Sequence, residues 1–269
     1  MIHGMSDEDL PSGLDLTVPS AARMYDYYLG GKDNFEVDRE RAEQIIAAYP
    51  EVRAAARANR RFLAKAVHVA AEAGVRQFLD LGAGLPTQGP VHEVARKVHP
   101  DARVVYVDQD PIACAHARAL VADDATVVVQ ADVRDPAAVL GDPQVTELLD
   151  WSEPVAVLFM AVLHFIGDED DPAGLIAAYA RDMAPGSHLV ISHVTVGLDT
   201  AAYDKAAGAY QGSGTGDGNR TPDEIAAFFT GFRLLEPGLV DAANWRSGAH
   251  REQPGSGLRL LAGVGVREG

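Results

Sequence analysis

Apolar positions change their rhythm once along this chain, and the change divides it. Between Ser20 and Ala73 they recur every three or four residues, the spacing of one helix face. This predicts helices over Ser20–Leu29, Glu36–Ala48 and Glu51–Ala73. In the third, Phe62, Ala66, Val69 and Ala73 share a face, Pro50 takes a favoured first-turn place and Gly74 ends the run. From Gln77 onward the pattern becomes short apolar runs at Gln77–Leu81, Arg103–Val107, Thr126–Gln130, Val155–Phe159 and His188–Ser192. Such strands alternating with helices imply a parallel sheet covered on both faces. Asp110-Pro111, Asp135-Pro136 and Asp171-Pro172 open the intervening helices. Asp accepts from the first amides, and Pro fills a position where no amide hydrogen is needed. Thr221 and Glu224 have capping-box spacing. Phe232–Leu235 and Leu258–Val266 are strand-like with no crossover helix between them, so they must run antiparallel. The expected fold is α/β, a doubly wound Rossmann-like sheet of five parallel strands plus a C-terminal antiparallel pair. Residues 1–18 form a polar, flexible tail, 19–74 a helical cap and 75–269 the sheet domain.

Composition narrows the partners. The 269 residues carry a formal net charge of −16, which disfavours a nucleic-acid backbone as main partner, because that affinity depends on Lys and Arg displacing counterions. One cysteine, Cys114, excludes an internal disulfide and a cysteine-based metal site, and its apolar setting reads as packing. No basic-then-apolar leader and no membrane-length apolar run is present, so a cytoplasmic location is expected with no membrane partner. The oligomeric state is not legible.

Candidate chemistry gathers at the strand ends. Phe78–Thr87 reads FLDLGAGLPT directly after the first strand. Gly82 and Gly84 permit a tight turn and close approach of a ligand to backbone. A dinucleotide fingerprint needs a third glycine where Thr87 stands, to seat a pyrophosphate on the helix start. Asp80 would sit poorly beside a pyrophosphate and suits a ligand bearing an ammonium group, such as the methionine end of S-adenosyl-L-methionine. Asp108 closes the second strand where a ribose-binding carboxylate belongs, with Gln109 beside it. After the third strand, Asp132 can accept from an adenine amino group and the Val133 amide can serve a ring nitrogen. Asp80, Asp108 and Asp132 thus end three successive strands on one sheet edge, where ligands of such folds bind. The fourth strand runs into Phe159–His164, placing Met160 near a methyl donor. His164 is a candidate general base or acceptor-orienting residue, and equally a packed structural histidine; His193 is a weaker candidate.

Several stretches resemble one family: Pro19–Phe35 (PSAARMYDYYLGGKDNF), Asn59–Phe62, the Leu81–Thr87 loop, Val107–Pro111, Ala226–Phe229 and Leu235–Gly238. They are similar to the actinobacterial S-adenosylmethionine-dependent methyltransferases long described as a domain of unknown function. The resemblance implies a class I methyltransferase sheet, S-adenosyl-L-methionine as cofactor and transfer of its methyl to a small-molecule nucleophile of unidentified kind. The alternatives are a non-catalytic S-adenosylmethionine-binding regulator and a nicotinamide-dependent oxidoreductase. Within the N-terminal motif, Arg23, Tyr27 and the Gly30-Gly31 break lie on one side of a helix, with Met24, Tyr25 and Tyr28 inward. That suggests a lid, with aromatic and Met side chains over the sulfonium and Arg23 or Lys32 near the methionine carboxylate; an ordinary packed helix is the competing reading. Arg53, Arg57, Arg61 and Lys65, at spacings of four, read as a solvated basic stripe, a site for an acidic acceptor being the competing reading. The glycine-rich run Gln211–Asn219 reads as a loop that closes over the acceptor or merely links.

Overall fold

The computed structural model describes residues 17–121, 123–196, 218–248 and 258–269. The tail up to residue 16 and most of the glycine-rich run lie outside the described residues. Three helices come first: α1 (Ala21–Tyr28), α2 (Glu36–Ala48) and α3 (Val52–Glu72). Pro50 precedes α3 rather than entering its first turn, because the helix begins only at Val52, after Glu51.

The alternating part follows as β1 (Gln77–Leu81), α4 (Val91–Ala95), β2 (Arg103–Asp108), α5 (Pro111–Leu120), β3 (Thr126–Gln130), α6 (Pro136–Leu140), α7 (Pro143–Leu148), β4 (Val155–Met160), α8 (Pro172–Ala180) and β5 (His188–Val196). Then come α9 (Pro222–Ala227), β6 (Arg233–Leu234), β7 (Val240–Asp241) and β8 (Leu258–Val266). The three Asp-Pro starts behave as the sequence predicts. Asp110 accepts from Ile112 and Ala113, Asp135 from Ala138 and Asp171 from Gly174, each such cap contributing about 1 kcal/mol. Thr221 and Glu224 form the reciprocal box.

The sheet order is β3-β2-β1-β4-β5-β8-β6, with β7 also on β8. The first five strands are parallel; β8 runs antiparallel to both β5 and β6. Alternation sorts the strand residues into two layers. Phe78, Tyr106 and Leu158 pack beneath α3 and α4 with Phe62 and Trp245, whereas Leu79, Val107 and Phe159 face α8 with Tyr179. Asp80 shares the parity of Phe78, so it points to the α3 side. A third cluster joins Met24 and Tyr28 to Ala42, Ile45, Val52, Ala56 and Leu258, seating the helical cap on the start of β8. No described helix is long and apolar enough to cross a membrane.

Candidate active site

A cavity of about 470 Å³ opens between the cap and the carboxyl edge of the sheet. Arg23, Tyr28, Asp80, Gly82, Gly84, Asp108, Gln109, Asp132, Val133, Met160 and His164 all line it. The sheet explains this convergence: β3, β2, β1 and β4 are successive neighbours, so residues at their ends share one edge.

The turn after β1 is held from β2. The amides of Gly82 and Ala83 both donate to the Val107 carbonyl, and the Gly84 amide donates to Asp108 Oδ2 at 2.7 Å. Gly82 has φ +73°, and a Cβ there would stand 2.5 Å from Val162 Cγ2. Glycine is needed at that position for both conformation and space. Gly84 also has a positive φ, +61°, and a Cβ there would stand in ordinary contact with Ala22 of α1 at 3.7 Å. α1 therefore lies directly over the loop.

Asp108 Oδ1 accepts from the Asp110 amide at 2.8 Å, and burial pushes its pKa up to about 6. Asp80 is buried, and its Oδ1 has no hydrogen-bond partner. Burial raises its pKa to about 7, opposed by the Arg60 guanidinium and reinforced by Asp108. Two more buried cavity-lining atoms are unpartnered, Asn59 Oδ1 and Arg60 Nε, both from α3. The rest of each side chain is anchored. Asn59 donates to the Tyr25 hydroxyl at 3.0 Å, while Arg60 donates to the Leu85 carbonyl at 3.1 Å and lies over the Tyr25 ring.

Asp132 is engaged. Its oxygens take the Arg134 side chain in a two-pronged pair and also the Arg134 amide. These contacts hold its carboxyl below the usual range despite partial burial. The Val133 carbonyl accepts from the Tyr179 hydroxyl, fixing that segment against α8.

Arg23 corrects the sequence expectation in part. It is buried among protein partners: Asp38 at 2.8 Å, the Val18 carbonyl at 2.7 Å and the Phe35 ring, with Asp110 at 3.6 Å. Its place is therefore beside the end of β2, and its charge is already balanced. Lys32 is exposed and lies off the cavity. Met24 is fully buried in the cap's own core, so of the aromatic and Met side chains of α1 only Tyr25 and Tyr28 reach the cavity. Asp26, which sequence reasoning passed over, organises the glycine-glycine turn. Its Oδ2 accepts from the Asp33 amide and Asn34 Nδ2, both at 2.9 Å. A Cβ at Gly31 would fall 2.0 Å from its Oδ1, which is why that residue has no side chain.

Beyond β4 the chain makes a 3₁₀ turn at Leu163–Phe165. His164 Nδ1 faces the Val194 amide at 3.5 Å, and its ring touches Phe165 and His193. It is half-buried, its open side being the cavity, and burial together with His193 and Arg220 holds its pKa well below the ordinary imidazole value. His193 is fully buried and lies off the cavity. Its Nδ1 donates to the Val194 carbonyl at 2.6 Å, leaving Nε2 to accept from Arg220 at 3.3 Å. Arg220, also missed, ties the wall together. It donates to the Leu163 and Ile166 carbonyls and to Asp168, all within 2.9 Å. The basic stripe on α3 is structural or solvated, as its spacing suggests: Arg53 pairs with Glu43, and Lys65 caps the Trp245 carbonyl.

The profile of the S-adenosyl methyltransferase family matches residues 7–268. A crystal structure from Thermobifida fusca YX, provisionally described as a methyltransferase, superposes with a TM-score of 0.86. It is 41% identical over 96% of this chain and 98% of its own. A DUF574 family protein from Streptomyces avermitilis gives 0.84, at 34% identity over 94% and 99%. Magnesium protoporphyrin IX methyltransferase from Synechocystis, solved with bound S-adenosylhomocysteine, gives 0.53 at 14% identity over 91% and 93%, a likeness of fold alone. No curated protein matches.

Proposed function

The chain belongs to the S-adenosyl methyltransferase family, and from that premise we propose which residues hold the donor and where the acceptor sits. It is an S-adenosylmethionine-dependent methyltransferase on a Rossmann-like class I sheet, which sets the nicotinamide reading aside.

The observation that carries the assignment is the trio of unpartnered buried atoms, Asp80 Oδ1, Asn59 Oδ1 and Arg60 Nε. Leaving a buried polar atom unsatisfied costs about 1–3 kcal/mol, and folded proteins rarely leave one without a use. Two acceptors and one cationic donor complement an α-amino acid end, with ammonium toward Asp80 and Asn59 and carboxylate toward Arg60. The residues thus fit the methionine moiety of the cofactor. Asp108 takes the ribose hydroxyls on the lone pairs that Gly84 and Asp110 leave free, with Gln109 alongside. Asp132 and Val133 face the adenine, and Asp132 accepts its amino group only as Arg134 swings away, since that side chain fills its lone pairs. Met160 borders the reacting centre. Arg23 serves the site through Asp110 and α1 rather than by touching the donor, and Tyr28 borders the acceptor's space.

When bound, S-adenosylmethionine supplies a sulfonium methyl to the acceptor's lone pair as the carbon–sulfur pair returns to sulfur. The protein's share is to align the partners and exclude water. A small-molecule acceptor is the reading favoured by the size of the cavity, about 470 Å³, whose continuation past β4 is lined by side chains.

Arg60→Gln tests the assignment by calorimetry. Its affinity for S-adenosylhomocysteine should fall by about 1.5–3 kcal/mol, the range for a hydrogen bond to a charged group. Affinity for 5′-methylthioadenosine, which lacks the amino-acid end, should stay unchanged. An equal loss for both ligands, or none for either, would refute the placement.

A further inference from the structure

Among the described residues, the cavity carries charged side chains at one end only. Its acidic and basic lining residues are Arg23, Arg60, Asp80, Asp108, Asp110, Asp132 and Arg134, which belong to the ends of β1, β2 and β3 and to the helices above them. The continuation past β4 is walled by Val52, Ala55 and Ala56 of α3, Val194 of β5, and Leu258 and Leu260 of β8. Register brings these strand residues together, since Val194 pairs with Leu260 and Val196 with Leu258. From β1 to β8 is three strand steps, roughly 14 Å at about 4.8 Å each. The β8 wall is thus set apart from Asp80, while α3 runs continuously from Asn59 and Arg60 at the charged end to Ala56, Ala55 and Val52 at this one. None of the six residues named carries a charge or a side-chain hydrogen-bonding group. An ion entering there would lose its hydration without a partner, a cost of several kcal/mol.

His164 stands at the junction of the two ends. A backbone amide can only donate, so the Val194 N–H directed at Nδ1 leaves the neutral ring with its proton on Nε2. Arg220 and His193 lie on the protein side of that ring and oppose its protonation.

We propose that the β5–β8 end binds an uncharged, largely apolar methyl acceptor, and that His164 positions it by donating from Nε2–H to its polar atom. The inference rests on the cofactor placement above. It names a substrate class and makes His164 a positioning donor rather than a base.

Three probes sharing one ring system test it on the full chain saturated with S-adenosylhomocysteine: 2-naphthol, naphthalene-2-sulfonate and 2-methylnaphthalene. Naphthol should bind at least tenfold tighter than the sulfonate. Ala55→Glu should weaken naphthol at least tenfold, and Ala55→Leu should weaken it by filling the space. Both variants should keep S-adenosylhomocysteine affinity within twofold, which also reports that they fold. His164→Phe should cost naphthol several-fold while sparing methylnaphthalene, which has no polar atom to hold. Nitrogen shifts of labelled histidine should show Nε2 protonated. Sulfonate binding as tightly as naphthol, indifference to both Ala55 variants, or equal losses of naphthol and methylnaphthalene in His164→Phe would overturn the inference. Failure of the wild-type chain to bind S-adenosylhomocysteine would overturn the cofactor placement itself, and the acceptor proposal with it.

Discussion

Two corners of the cavity are built from buried charge, and they differ in how that charge is answered. At the α1–α2 corner Ser20, Arg23 and Asp38 all have protein partners. Asp38 takes the Ser20 amide on one oxygen and Arg23 with the Phe35 amide on the other, and Ser20 reaches Asp110 through its hydroxyl. At the α3–β1 corner, Asp80, Asn59 and Arg60 each keep one buried atom without a partner. The first corner is complete as folded protein, while the second is the one we propose a ligand completes. Buried charge by itself does not mark a binding site; unanswered buried charge does.

The largest expected effect tests the completed corner. Asp38→Ala strands Arg23 in a buried setting, and removing one partner of a buried pair typically costs 3–5 kcal/mol. Chemical denaturation of the ligand-free protein should show that loss. A change below about 1 kcal/mol would mean that α1 is not held by this pair.

Asp80→Asn probes the other corner and should give the opposite pattern. Ligand-free stability at pH 8 should hold or rise, because a buried carboxylate with an unpartnered oxygen is removed. Affinity for S-adenosylhomocysteine should fall by about 1.5–3 kcal/mol. A destabilised protein with normal affinity would place Asp80 in the scaffold.

A further effect is in pH dependence. Burial raises Asp80 to about 7, so the unfolded chain gives up this proton at lower pH than the folded one. Ligand-free stability should therefore decline as pH rises from about 4 to about 7. An ammonium ligand favours the ionised form, so affinity should climb as Asp80 ionises, by roughly twentyfold between pH 5.5 and 7.5. Asp108, raised to about 6, adds to the lower part of the rise. Asp80→Asn should flatten the upper part, and an unaltered profile in that variant would assign the titration elsewhere.

The sequence made the sheet legible because each strand is a run of local signals. Apolar runs closed by Asp-Pro caps place β1 to β5 within a few residues, and strand-end acids then follow from topology. The C-terminal region was legible as antiparallel but not in arrangement, since β8 enters between β5 and β6 and also takes on β7. Side chains answered over long separations were not legible. Arg220 meets Leu163, Ile166 and His193 across distant stretches, and no local period announces that. Arg60 was hidden by its neighbours: Arg53, Arg57, Arg61 and Lys65 form the visible stripe, and one residue turns a helix by about 100°. That single step carries Arg60 from the solvent stripe toward the cavity. Arg23 shows the converse, a cation in a distinctive motif whose partner, Asp38, sits on the next helix and consumes its charge.

The reversed direction of β8 has a consequence for how such enzymes can diverge. Because it runs against β5, its first residues, not its last, arrive at the edge where the parallel strands finish. Leu258 and Leu260 thus complete a wall whose donor-facing counterpart was already written by Met160. On the proposed placement, two of the six acceptor-wall residues, Leu258 and Leu260, lie in a stretch of the gene apart from every donor contact. A crossover between relatives anywhere between β5 and β8 would exchange the β8 part of that wall and leave every proposed donor contact in place. Chimeras cut there offer a direct route to new acceptors on an unchanged cofactor site.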